Sequence, residues 1–165
     1  MKKINCYIRF TEKSRRKFTM KVLIQRVKHA SVTIDNKLYS KIDKGILALV
    51  GIEKGDTIEQ VQKMAKKLSG LRIFPDENDK MNRSILDIHG EMLIVSQFTL
   101  CGDCKKGTRP SFDKSAAPDI ANKLYEDFVK EIQNYGIKTE TGVFGAMMDV
   151  ELINDGPVTF MLEMN

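Results

Sequence analysis

Gly45-Ile46-Leu47-Ala48-Leu49-Val50-Gly51-Ile52 is followed closely by Asp56-Thr57-Ile58-Glu59-Gln60-Val61. The first stretch has no polar alternation, so its side chains are apolar on both sides, the pattern of a strand buried on two faces. The second has capping-box spacing, with Asp56 as the expected N-cap and Glu59 reaching back. Ile58, Val61, Met64, Ala65 and Leu68 then recur at helical spacing until Gly70 supplies a stop. A strand buried on both faces followed by an amphipathic helix belongs to a β-rich α/β domain.

Upstream, Val22 to Val27 and Ala30 to Asp35 read as two strands joined at Lys28-His29, and a third spans Leu38 to Ile42 after turn chemistry at Asp35-Asn36-Lys37. Downstream, Leu71 to Phe74 returns to strand before Pro75 and the polar loop Asp76 to Asn82. Asp87-Ile88-His89-Gly90 has hairpin character and precedes a long strand from Met92 to Leu100, then a loop from Cys101 to Phe112. A second helix is predicted from Pro118, because proline suits a first turn. Its stripe is Ile120, Leu124, Phe128 and Ile132, and Gly136 ends it. Ile137 to Thr141, Ala146 to Ile153 and Val158 to Met164 complete the strands. The expected class is α/β: a β-rich single domain with a sheet or barrel-like core and two main helices.

One domain is what 165 residues support. At 42% hydrophobic and 30% charged, the chain has a globular rather than a disordered composition. No run of eighteen uncharged apolar residues exists, so no membrane helix is expected. Three cysteines without a secretory h-region point to a reducing, cytoplasmic setting. The net charge of +5 is concentrated at one end. Residues 1–19 carry Lys2, Lys3, Arg9, Lys13, Arg15, Arg16 and Lys17 against Glu12, whereas from Met20 onward 20 basic residues face 21 acidic ones. The expected division is a basic, non-essential extension at 1–19 and a nearly neutral domain at 20–165. Such a domain must bind nucleic acid through a local patch and shape rather than a whole-protein field.

Familiar hydrolytic signatures are missing. Ser96 lacks a Gly-x-Ser-x-Gly elbow, and the two histidines, His29 and His89, fall in turns. Cys101-Gly102-Asp103-Cys104 is a C-x-x-C, but redox use wants the first thiol at a helix N-terminus, and a loop is expected after it. No second Cys/His pair has the spacing for a zinc site, so no metal is assigned. The expectation is two loop thiols.

Two segments carry more information: Ser96-Gln97-Phe98-Thr99-Leu100 and Asn154-Asp155-Gly156-Pro157-Val158-Thr159. On its own the first is a strand, with Ser96 and Phe98 on one face and Gln97 and Thr99 on the other. The second is on its own a turn. Together they resemble the two signature motifs of the D-aminoacyl-tRNA deacylases. Further segments match in order: Ile24-Gln25-Arg26-Val27, Arg72-Ile73-Phe74-Pro75-Asp76, Lys80-Met81-Asn82, Gly107-Thr108-Arg109-Pro110-Ser111-Phe112 and Phe144-Gly145-Ala146-Met147-Met148. Two departures are Cys101, where an aromatic residue is common, and His89, where a small one is. The extension lies outside the family pattern.

The resemblance implies a cofactor-free ester hydrolase acting on the acceptor end of D-aminoacyl-tRNA, with glycyl-tRNA mischarged on tRNA-Ala as a further substrate. It implies a homodimer with active sites at its interface, in which a cis Gly156–Pro157 protrudes into the partner's site and excludes L-amino acids. Arg26 would brace that loop, and Phe144 and Met148 would line the adenosine end. Phe98 and Thr99 amides would hold the ester carbonyl, with Ser96 and Gln97 in the same wall. Thr99 would position water or act as nucleophile, and Thr159 has the same two readings. Lys105, Lys106 and Arg109 are the candidate tRNA contacts. The alternative is a non-catalytic RNA- or protein-binding module anchored by the basic extension.

Overall fold

A computed structural model describes residues 19–164, so the expectation for the basic extension falls, apart from Thr19, outside the described residues. Among them are eight strands: β1 (Met20–Ile34), β2 (Lys37–Ile42), β3 (Gly45–Gly51), β4 (Phe74–Pro75), β5 (Met81–Arg83), β6 (Glu91–Ser96), β7 (Lys138–Thr141) and β8 (Asp149–Met164). Helices α1 (Ile58–Ser69) and α2 (Pro118–Asn134) join β3 to β4 and β6 to β7.

β1 organises the sheet. One edge pairs antiparallel with β8 along nearly its whole length; the other pairs with β3 over Lys21–Val27 and with β2 over Ala30–Ile34. β6 and β7 extend the sheet from β3 in parallel, as strands linked by helical crossovers do. The Ser40 hydroxyl of β2 donates to the Thr141 carbonyl of β7 at 2.7 Å. That contact brings the two ends of the sheet together, and the result is nearly closed and barrel-like.

β3 is buried on both faces, as its sequence predicts. Ile46, Ala48 and Val50 point into the main core beneath the helices, while Leu47 points into a second core with Val27, Val32, Ile42, Leu93 and Val95 inside the curled sheet. Gly45 is required at the entrance, because a Cβ there would overlap the Glu91 carbonyl of β6. On α2, Leu124, Phe128 and Ile132 are buried; Ile120, expected on the same stripe, is 52% exposed because it lies in the first turn, ahead of the core.

Several boundaries differ from expectation. The two strands read before and after Lys28-His29 are one strand, β1, with register shifts between Gln25 and His29. The two final strands are likewise one, β8, with Gly156–Pro157 inside it. Leu71 to Phe74 is mostly unpaired; only Phe74–Pro75 forms a ribbon, with Met81–Arg83. The α1 cap is Thr57, not Asp56: the Thr57 N–H and hydroxyl donate to Gln60 Oε1 at 2.8 and 3.2 Å. Asp56 is used elsewhere, accepting the Glu53 N–H at 2.7 Å. His89 takes φ 51°, a left-handed conformation that explains why a small residue suits that turn.

Burial pushes the Asp56 carboxyl up to about 6, aided by nearby Glu53 and opposed by the Glu53 N–H and by Lys21. A carboxyl raised in the folded state favours folding while protonated, and that contribution is lost as pH rises through about 6. Asp56→Asn should therefore gain stability relative to the unaltered chain as pH goes from 4.5 to 7.5, an interval that brackets the Asp56 transition at about 6. Urea midpoints at both pH values check this; a difference that does not change with pH contradicts it.

Candidate active site

β6 stops at Ser96, and the chain turns into one 3₁₀ turn, Phe98–Cys101. The long strand to Leu100 expected from the sequence does not form, and neither does the alternation it implied. Phe98 and Thr99 are both exposed, while Ser96 and Gln97 are half-buried. The turn closes through Leu100 N–H to Gln97 O at 3.2 Å and Gly102 N–H to Thr99 O at 3.0 Å. The N–H groups of its first residues have no acceptor within the turn, as at the start of any helical turn. The Gln97 side-chain amide donates to the Thr99 hydroxyl. Thr99 Oγ1 is thus an acceptor toward Gln97, and its own proton takes no part in that bond. Phe98 packs edge-on to Phe112, with ring centroids 5.0 Å apart.

The second unit lies in β8. Gln25 of β1 pairs with Thr159, and Val27 pairs with Asn154. Residues 155–158 therefore bulge out opposite Arg26 alone. The Gly156–Pro157 peptide within the bulge is cis. Gly156 cannot carry a side chain, because a Cβ would overlap the backbone nitrogen of Val158. Arg26 holds one side: its Nε donates to the Asp155 carbonyl at 2.8 Å and lies 3.2 Å from the Asp155 carboxylate, while Nη1 donates to the Ile73 carbonyl at 2.6 Å. Asn154 spans the other side. It accepts the Val158 N–H at 2.8 Å, and its amide donates to Val158 O at 3.2 Å and Thr159 Oγ1 at 3.1 Å. Gln25 donates to the same Thr159 hydroxyl at 3.2 Å. Thr159 Oγ1 is thus engaged in holding the bulge.

Asn154 and Gln25 were not among the expected site residues. Their partners lie across the bulge or 134 positions away, and only the family-motif segments that contain them drew any attention to them.

Phe144 stacks at a tilt on Tyr125 with centroids 6.1 Å apart and packs on the main core. Met148 Sδ accepts the Val143 N–H at 3.3 Å and packs on the second core. Between them Met147 is 91% exposed, so it presents the free side chain of this segment. Lys105, Lys106 and Arg109 are all exposed on a loop whose base is closed by the Asp103–Ser111 backbone pair. A second basic surface was not anticipated: Lys63, Lys66, Lys67 and Arg72 line a groove of about 700 Å³ with Met81 and Met164.

The C-x-x-C is split. Cys104 is an exposed loop thiol as expected, whereas Cys101 is buried in the 3₁₀ turn, and both are free. Burial and the nearby Glu53 push the Cys101 thiol up to about 11, opposite to the shift a reactive thiolate needs.

A family model described as D-Tyr-tRNA(Tyr) deacylase matches residues 23–163. Among relatives named D-aminoacyl-tRNA deacylase, that of Thermosipho africanus (strain TCF52B) is 58% identical over 144 residues, covering 87% of this chain and 97% of the relative. That of Exiguobacterium sibiricum is 56% identical over 144 residues, covering 87% and 99%. A solved structure described as c-Myc DNA Unwinding Element Binding Protein is 38% identical with TM-score 0.81, covering 86% of this chain and 97% of that one. Another, from a structural analysis of a probable eukaryotic D-amino acid tRNA deacylase, shares the fold at TM-score 0.76 and 19% identity, covering 88% and 99%. A match over that span, with relatives covered almost end to end, carries one conclusion: the chain belongs to the D-Tyr-tRNA(Tyr) deacylase family.

Proposed function

We propose that the protein is an ester hydrolase that releases D-amino acids from tRNA. The observation that carries this reading is the presence in one chain of a 3₁₀ turn that begins with exposed Phe98 and Thr99 and a bulge carrying a cis Gly156–Pro157, in a chain whose relatives at 49–58% identity are named D-aminoacyl-tRNA deacylase. An aminoacyl ester is already activated, so hydrolysis needs polarisation and orientation more than a strong base. The amides of Phe98 and Thr99 would polarise the carbonyl. Thr99, steadied by Gln97, would orient water with the neighbouring ribose 2′-hydroxyl, and Ser96, the last residue of β6, immediately precedes this group.

Selectivity is assigned to the bulge. A backbone wall beside the α-carbon leaves no room for an L side chain and leaves a D side chain free. About 1.4 kcal/mol of clash suffices for each tenfold of discrimination. Glycine offers nothing to reject, so glycyl-tRNA mischarged on tRNA-Ala is a further substrate in this reading. Each bulge is assigned to the partner's site in a homodimer. Support comes from the apolar side chains that β8 leaves open, Ile153, Phe160 and Met161, each between 41% and 48% exposed. The assigned compartment is the cytoplasm, where charged tRNA is found.

A second reading, a nucleic-acid-binding module without catalysis, draws on the relative described as a DNA unwinding element binding protein. The decisive assay incubates the purified protein with D-tyrosyl-tRNA and L-tyrosyl-tRNA and follows amino acid release. The enzyme reading predicts loss of the D ester alone and a fall of at least about tenfold in Thr99→Ala, the scale of one lost polarising or orienting contact. Persistence of both esters with a folded protein supports the module instead.

Contact with tRNA is assigned to Lys105, Lys106 and Arg109. Neutralising all three should lower the slope of log affinity against log salt by about 2, roughly 0.7 per single-strand phosphate contact. An unchanged slope, with the change appearing when Lys63, Lys66, Lys67 and Arg72 are neutralised, would move the contact to the groove beside α1.

A further inference from the structure

The 3₁₀ turn rests on the end of β3, and the fit there is close. The Gln97 N–H donates to the Val50 carbonyl at 2.7 Å, and Cys101 Sγ lies 3.5 Å from the Ile52 carbonyl. Gly51 sits between those two carbonyls. A Cβ at this position would stand 3.0 Å from Leu100 Cβ, 3.2 Å from Cys101 Sγ and 3.3 Å from the Gln97 carbonyl. The missing side chain of Gly51 is therefore the space the turn occupies. Beside it, Lys21 of β1 pairs with the buried Glu53 carboxylate at 2.9 Å and points its ammonium at the Leu100 carbonyl, 3.5 Å away.

A buried ion pair is an inefficient source of stability, since an apolar pair of the same volume does as well. Its distinctive property here is direction: Glu53 fixes the ammonium, and the ammonium meets a carbonyl of the turn. Nothing in the chemistry assigned to Phe98 and Thr99 uses Lys21, Glu53 or Gly51 directly.

We propose that Gly51 and the Lys21–Glu53 pair are positioning residues that set the height and tilt of the Phe98–Cys101 turn, and so the aim of its amides. This rests on the deacylase reading. An alanine at 51 lifts the turn by a few tenths of an ångström while keeping every strand pairing of β3. The effect falls on turnover, because misplacement near the reacting atoms is costly while the tRNA is held elsewhere.

Three variants test it on D-tyrosyl-tRNA beside the unaltered chain. Gly51→Ala should lower kcat about tenfold, with KM within about twofold, as expected for sub-ångström misplacement of reacting groups, and with the thermal midpoint little changed. The double variant Lys21→Met with Glu53→Gln removes both charges, so no unpaired ion is left buried. It should remain folded yet lose kcat by a similar factor. Lys21→Arg, which keeps a cation opposite Glu53, should retain most of the unaltered chain's kcat. Unaltered kcat in Gly51→Ala or in the folded double variant overturns the proposal, as does a loss confined to KM. If Gly51→Ala fails to fold, the double variant decides. An unaltered chain that leaves the D ester intact overturns the deacylase reading and this one with it. An active chain with indifferent variants overturns only the positioning role.

Discussion

The guanidinium of Arg26 is the contact on which the arrangement turns. Arg26 sits where β1 faces four residues of β8 with one of its own, and it ties the Asp155 carbonyl and carboxylate to the Ile73 carbonyl beyond α1. A planar fork with fixed donors suits this task, since three acceptors on two segments must be satisfied from one strand position. Without it, the carbonyls of Asp155 and Ile73 lose a charged donor in a half-buried setting, where unsatisfied polar groups are expensive. Asn154 and Gln25 complete the frame by fixing Val158 and Thr159. The bulge is therefore held on both flanks, and Gly156–Pro157 is what remains projecting.

The other unit is seated by different means. The Phe98–Cys101 turn lies on β3 through the Gln97–Val50 hydrogen bond and the open face of Gly51. Both units thus derive their positions from neighbouring strands, β1 and β3, which pair with each other over Lys21–Val27. A rigid sheet beneath two projecting backbone elements suits the proposed site, which would work by orientation and exclusion, where small misplacements are costly.

Much of this was legible in the sequence, for identifiable reasons. The apolar run at 45–52 named a doubly buried strand, and Pro118 and Gly136 bounded a helix, because those patterns are local. Boundaries failed where two residues compete for one role. Asp56 and Thr57 both suit an N-cap, and only the Glu53 N–H, which recruits Asp56, leaves Thr57 as the cap. The alternation through Ser96-Gln97-Phe98-Thr99 continued past the end of the strand, because the chain passes from β6 into a 3₁₀ turn after Ser96 without any break in the local polar–apolar pattern. β1 and β8 were each read as two strands because a bulge interrupts the periodicity without ending the pairing. Arg26, Gly156, Pro157 and Thr99 were reached through family motifs. Asn154 and Gln25 were not singled out, since amides bridging a bulge have no periodic signal.

The most direct measurement is the ratio of D- to L-tyrosyl-tRNA hydrolysis in Arg26→Gln, compared with the unaltered chain at matched folded fraction. If the braced bulge is the chirality filter, the variant should keep its fold and its D activity in part while L hydrolysis rises, narrowing the ratio at least tenfold, or about 1.4 kcal/mol. A folded, active variant with an unchanged D-to-L ratio would contradict the account, because selectivity would then not depend on how the Gly156–Pro157 bulge is held.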